Sequence, residues 1–176
     1  MYKIAIFGFL VACPAFAAGI DIELGGGVEG TVSIDLYEDV APAHVDRITA
    51  LAERGAYDDV VFHRVIDGFM AQTGDVQFGR VDGDTSRAGY GGSDLPDLPQ
   101  EFSDRAFERG IVGMARSGNS VDSANSQFFI MFAPAPHLNG QYTAVGEVTE
   151  GMDLVDQIPA TGQGEVVLME SVAVTD

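Results

Sequence analysis

The run Phe62-His63-Arg64-Val65-Ile66-Asp67-Gly68-Phe69-Met70-Ala71-Gln72-Thr73-Gly74-Asp75 sets one arginine, Arg64, beside a large apolar surface with no evident charge partner. Cores seldom hold an arginine on those terms, and sites often do. A guanidinium is always charged and carries its donors in a rigid planar fork, so it offers hydrogen bonds and positive charge without a tuned pKa. Taken alone, Arg64 would as readily form a structural ion pair with Asp67 or Asp75. Strand side chains alternate between faces, so a regular strand would put Phe62, Arg64 and Ile66 on one side. Met70 and Gln72 share a side in the next run, as do Gln127, Phe129 and Met131 in a later one. Three strands thus each offer polar and apolar groups together, while Phe128, Ile130 and Phe132 suit the interior behind them.

Other chemistries find less support. No G-x-S-x-G occurs, which leaves a serine hydrolase without its nucleophile turn. Gly25-Gly26-Gly27-Val28-Glu29-Gly30 spells G-x-G-x-x-G, but Val32-Ser33-Ile34-Asp35-Leu36 continues as a strand where a dinucleotide site needs a helix to open. Asp82, Asp84 and Asp94 do not make a calcium loop, because a loop starting at Asp82 has Arg87 at position six and Ser93 at position twelve. His63 and His137 have no cysteine nearby to support a zinc site. The expectation is therefore no metal and no cofactor.

The elements that would position these groups are mostly strands. Ile20 to Leu24 and Thr31 to Tyr37 alternate and predict a hairpin across the glycine turn. Pro42, then Val45, Ile48, Leu51 and Ala52 at helical spacing, then Gly55, predict one amphipathic helix. Strand-like runs recur at 60–65, 69–73, 111–115, 127–132, 143–148 and 166–174, and a second short helix is expected from Met152 to Ile158. Many strands with few helices predict a mainly β fold, a closed antiparallel barrel capped by helices and so free of sheet edges. Residues 76–104 are glycine-rich and poorly patterned, the mark of a functional or mobile segment.

The motif from Phe62 to Asp75, followed by Gly113-Met114-Ala115-Arg116 and Ser126-Gln127-Phe128-Phe129-Ile130, resembles cyclophilin-type peptidyl-prolyl cis-trans isomerases, and the likeness runs from the first hairpin to the carboxyl end. It implies a closed eight-stranded barrel with two capping helices, no cofactor, and proline-containing peptides or proteins as substrate. Arg64 would be the catalytic group. Phe69, Met70, Phe129 and Leu138 would form the proline pocket; Gln72, Ala115, Arg116 and Gln127 would line the groove for the peptide backbone; His63 would support the site. The sequence departs from the family where tryptophan and histidine are common: His137 stands at the first position and Tyr142 at the second. Weak cyclosporin binding is therefore expected. Arg116 stands where asparagine is frequent, which would alter substrate preference.

Such a reaction suits an arginine in an apolar setting. Amide resonance raises a barrier of roughly 18–20 kcal/mol to rotation about the peptide bond. Turning the bond frees the nitrogen lone pair, to which a guanidinium can donate. The contact accelerates rotation only as far as it is stronger in the twisted than in the planar states.

At the amino end, Lys3 precedes an apolar run from Ile4 to Ala12 and the small residues of Ala15-Phe16-Ala17. That run is too short to span a bilayer, and residues 1–17 are expected to be a cleaved secretory signal. The enzyme domain would then be 18–176 and its compartment the periplasm. Leu10-Val11-Ala12-Cys13 also resembles a lipobox, so a lipid anchor through Cys13 is the alternative. Cys13 is the only cysteine, and a chain cut after Ala17 can form no disulfide. The net charge of -18 argues against nucleic acid and anionic lipid as partners. The expected partners are unfolded or partly folded exported proteins, met by a monomer.

Overall fold

The computed structural model describes residues 18–175. The expected signal segment and Cys13 lie outside the described residues. Nine strands join in one antiparallel sheet. Strand β1 (Gly19–Gly26) pairs with β2 (Gly30–Leu36) as the predicted hairpin, with Ile20 opposite Ile34 and Ile22 opposite Val32. Their alternating apolar residues all face inward. Gly26 and Gly30 turn the chain with φ of 84° and 131°, and no helix follows them.

Helix α1 (Pro42–Glu53) buries Val45, Ile48, Leu51 and Ala52 on the predicted stripe, and Gly55 closes it at φ 63°. Its first turn has no local side-chain cap. Glu101, far along the chain, accepts instead from the amides of Ala43 and His44 (3.3 and 3.1 Å) and bonds His44 Nδ1 (2.6 Å). A carboxylate at this end also suits the helix dipole.

The remaining strands are β3 (Val60–Val61), β4 (Arg64–Ile66), β5 (Met70–Thr73), β6 (Ile111–Met114), β7 (Phe128–Met131), β8 (Ala144–Glu150) and β9 (Val167–Thr175). Their order is β3-β9-β1-β2-β8-β6-β7-β5-β4. The sheet is an open half-barrel, not the closed eight-stranded barrel expected. The expected strand over 60–65 breaks at Phe62 and His63. Val60 and Val61 pair with β9, the Phe62 amide still donates to Val167 O (2.9 Å), and pairing with β5 begins only at Arg64. From β5 the Thr73 hydroxyl donates to Val61 O of β3 (3.0 Å), a side-chain link in place of a ladder. The outer edge of β4 is covered by a loop: the Val65 amide donates to Thr161 Oγ1 (2.7 Å) and the Thr161 amide to Val65 O (3.1 Å).

The break also corrects the expected facing. Phe62 and Val65 both enter the main core, whereas Arg64 and Ile66 are exposed. Helix α2 (Met152–Val155) is shorter than the predicted 152–158. Pro159 disfavours helical backbone at the residue before it, and the chain ends in tighter turns that still bury Ile158. Two apolar clusters result. The larger lies on one face of the sheet, with Ile22, Leu51, Phe128 and Ile130 among its members; the smaller, on the other face, gathers Met70, Phe107, Phe129, Met131 and Leu138.

Candidate active site

Register brings the groups together. Arg64 lies opposite Gln72, Gln72 opposite Phe129, and Phe129 opposite Gly113, so one row crosses β4, β5, β7 and β6. A second row sets Ile66 opposite Met70 and Met70 opposite Met131. Alternation puts both rows on the face away from the main core, and the smaller cluster floors a cavity there. Gly113 makes room for that floor, since a Cβ on it would stand 2.5 Å from Phe129 Cζ and 2.6 Å from Phe107 Cε1.

The cavity measures about 590 Å³ and is lined by Arg64, Phe69, Met70, Gln72, Ala115, Arg116, Phe129, His137, Leu138, Gln141 and Tyr142. Met70, Phe129 and Leu138 are buried beneath it. Phe69 and His137 stack at 5.7 Å on one side, and Tyr142 meets Phe129 edge-on at 5.7 Å on another. Every lining residue except Gln141 was singled out in the sequence. Gln141 contributes a backbone carbonyl, which accepts from Arg116 Nε and Nη2 (3.2 and 3.1 Å). A contact made by the main chain leaves no mark in residue types.

Arg64 is exposed at the mouth of this cavity. Its Nη1 donates to Gln72 Oε1 (3.3 Å) and lies 3.8 Å from Met70 Sδ. Among the described residues no carboxylate comes within 4.0 Å of it, so neither Asp67 nor Asp75 is its ion-pair partner. The next links are all amides. Gln72 Nε2 donates to Gln127 Oε1 (2.9 Å), and Gln127 Nε2 donates to Gly91 O (2.8 Å). Each glutamine has one end committed by its neighbour, which fixes the direction of the whole series.

Gln127 lies in a second cavity that adjoins the first along Gln72, Ala115 and Arg116 and is also about 590 Å³. The loop over 76–104 forms one wall of it and is pinned down. Asp75, fully buried, accepts four backbone N–H bonds: Gln77 and Phe78 on Oδ1 (3.1 and 2.9 Å), Gly89 and Gly91 on Oδ2 (2.7 and 2.9 Å). Asn125 accepts from the Ser93 amide and hydroxyl (both 2.7 Å) and donates to Leu95 O and Asp97. The sequence reading missed both anchors. An acid followed at two and three residues by free amides, as in Asp75-Val76-Gln77-Phe78, is the local signal that was available.

His63 does not line the first cavity. It faces a separate hollow of about 450 Å³ between Val81–Ala88 and Ile158–Val167, with Gly89 packed on its ring. Burial pushes its pKa below the usual 6.5, opposed by the Asp75 charge and aided by that of Arg64. Neither ring nitrogen has a hydrogen-bond partner among the described residues. Those residues hold no cluster of three or more His, Cys, Asp or Glu suited to a metal.

Residues 19–175 match the family model described as "Cyclophilin type peptidyl-prolyl cis-trans isomerase/CLD". The chain belongs to the cyclophilin-type peptidyl-prolyl cis-trans isomerases. It is similar to a "Probable peptidyl-prolyl cis-trans isomerase" of Brucella suis, 58% identical over 139 residues that cover 78% of this chain and 70% of that one. A "Peptidyl-prolyl cis-trans isomerase-like 1" of Aspergillus fumigatus is 35% identical over 135 residues, 73% of this chain and 76% of the relative. Among solved structures, a cyclophilin-type isomerase of Cryptosporidium parvum superposes with a TM-score of 0.77 at 24% identity, covering 92% of this chain and 99% of that one. A cyclophilin from Hirschia baltica gives 0.71 at 22%, covering 88% and 73%. The chain is thus an isomerase with the cyclophilin fold, on a half-open sheet.

Proposed function

We propose that this cyclophilin rotates Xaa-Pro bonds in exported proteins and so speeds their proline-limited folding, with Arg64 as its catalytic residue. The proline ring enters the apolar cavity over Met70, Phe129 and Leu138, against Phe69. There it is held while the chain on the amino side of the bond turns. Arg64 donates to the proline nitrogen as that nitrogen loses conjugation. The apolar surroundings disfavour the charge-separated planar amide, and the donor stabilises the twisted one. No bond is made or broken and no proton moves.

The observation that carries this reading is the setting of Arg64: a guanidinium at the mouth of an apolar cavity, held by one glutamine and by no carboxylate among the described residues. Its Nε and Nη2 make no hydrogen bond among those residues and are the donors left for substrate. Gln72, Gln127, Ala115 and Arg116 border the path of the peptide backbone. His63 acts from behind, as packing under the loop at Gly89.

The remaining parts of the reading concern where and with what the enzyme works. Cleavage after Ala17 releases a monomeric domain of 18–176 into the periplasm; lipidation at Cys13 would instead tether it, and the mass of the mature amino terminus tells the two apart. His137, stacked on Phe69, gives cyclosporin no indole to pack on, so the drug binds weakly.

The test is NMR exchange between cis and trans forms of a short Xaa-Pro peptide, with catalytic amounts of the mature protein or of Arg64→Ala. The expected result is fast exchange with the first and a loss of about a hundredfold or more with the second, the scale of one transition-state donor. Undiminished exchange in Arg64→Ala would remove Arg64 from the mechanism.

A further inference from the structure

The chain has 27 acidic residues against nine lysines and arginines, yet among the described residues no Asp or Glu lines the proline cavity, and two arginines do. Arg64 is one. The second, Arg116, has the more revealing surroundings. Its Nε and Nη2 donate to Gln141 O and its Nη1 to Ser117 O (3.0 Å), which pins the group with carbonyls and leaves its charge unneutralised. The guanidinium lies 4.5 Å from the centre of the Tyr142 ring, a further restraint on its plane. No carboxylate stands within 4.0 Å of it among the described residues. Three of its five N–H groups are used, and one remains on each terminal nitrogen for an incoming acceptor.

Arg116 borders both the proline cavity and the adjoining one, so a peptide with its proline in the first and a neighbouring residue in the second passes beside this cation. The second cavity has one acid in its lining, Asp97, which already accepts from Asn125 Nδ2 at 2.9 Å. Away from the groove, most of the acids behind the net charge of -18 are exposed, the buried Asp75 being an exception, and physiological salt screens exposed charges beyond about 8 Å. A direct contact with Arg116 is screened far less.

We propose that Arg116 is a specificity-determining residue that selects substrates carrying a carboxylate side chain close to the proline. The preference rests on the isomerase reading given above and names the substrate class that this groove favours. A pre-positioned, partly exposed arginine meeting such a group should give about a five- to tenfold preference in kcat/KM.

The experiment uses peptides blocked at both ends, so that the only carboxylate is a side chain. Each carries Glu, or Gln as control, one or two places before or after the proline, and is assayed by NMR exchange at about 0.15 M salt, the physiological value. The readout is the Glu/Gln ratio of kcat/KM, which a purely structural role for Arg116 would not set. The proposal expects a ratio of about five or more at one position at least, falling to about one in Arg116→Gln. A ratio near one at every position, or a preference that persists in Arg116→Gln, overturns it. Should Arg116→Gln be too damaged to assay, Arg116→Met, uncharged and of similar length, takes its place: a ratio near one supports the proposal and a persisting preference overturns it. Turnover of neither the Glu nor the Gln peptides would strike the isomerase reading itself, and this inference with it.

Discussion

Replacing Asp75 by asparagine tests whether the site is held from behind. Each carboxylate oxygen accepts two backbone amides, and all four bonds lie between 2.7 and 3.1 Å. Asparagine keeps one oxygen and turns the other into an NH2 group, which would face two N–H donors with nothing to accept. Whichever way the amide sits, two charge-assisted bonds are lost, at about 1.5–3 kcal/mol each, for a total of about 3–6 kcal/mol. That is a large fraction of the roughly 5–15 kcal/mol that stabilises a domain. Losing the Oδ2 pair does further harm, because Gly91 both donates to Asp75 and accepts from Gln127, so its release slackens the amide series that ends on Arg64. Urea unfolding should show the stability loss, and amide exchange should show either Gly89 and Gly91 or Gln77 and Phe78 losing protection, with kcat/KM falling most in the first case. A loss below about 1 kcal/mol, the cost of a single ordinary hydrogen bond, would refute the reasoning.

Other outcomes follow from single features. In Gly113→Ala the new methyl collides with Phe129 and Phe107, so Phe129 should be driven into the cavity, with a stability loss of about 1–3 kcal/mol by denaturant titration and a larger KM. His63, its pKa lowered by burial, stays neutral in the fold below the pH at which the unfolded chain protonates it, near 6.5. The unfolded state then binds the extra proton, so stability should fall as pH drops from about 6.5 toward the lowered value, and His63→Gln should flatten that part of the curve. Bond rotation moves no proton, so kcat/KM should be level from about pH 7 to pH 9 while the fold persists; a bell-shaped profile there would point to a proton-transferring group.

The sequence made the site more legible than its framework. Phe69, Met70, Gln72, Phe129 and their neighbours are side chains whose type and alternation carry the information, and they converge on one cavity. Hairpin and helix were legible for the same reason, from Ile20, Ile22 and Leu24 and from Val45, Ile48 and Leu51. The break at Phe62-His63 was not, because Val60 to Val65, apolar but for His63 and Arg64, reads as continuous strand when alternation is the only guide. Closure of the sheet hung on those two residues, so the expected closed barrel failed with them. The anchoring of 76–104 by Asp75 and Asn125, and of α1 by Glu101, depends on pairs of residues brought close only by the fold.

The place of β1 in the sheet also governs when the enzyme can come into being. Its first partner, β2, follows within a few residues, but its second, β9, is the final stretch described, with Gly19 facing Thr175. A two-stranded hairpin is marginal by itself in water. A growing chain therefore carries β1 with one edge bare until β9 has left the ribosome, and β3 waits on that same strand. An enzyme whose family turns the slow bonds of other chains thus leaves its own sheet incomplete until β9 is made, when closure between Gly19 and Thr175 becomes possible.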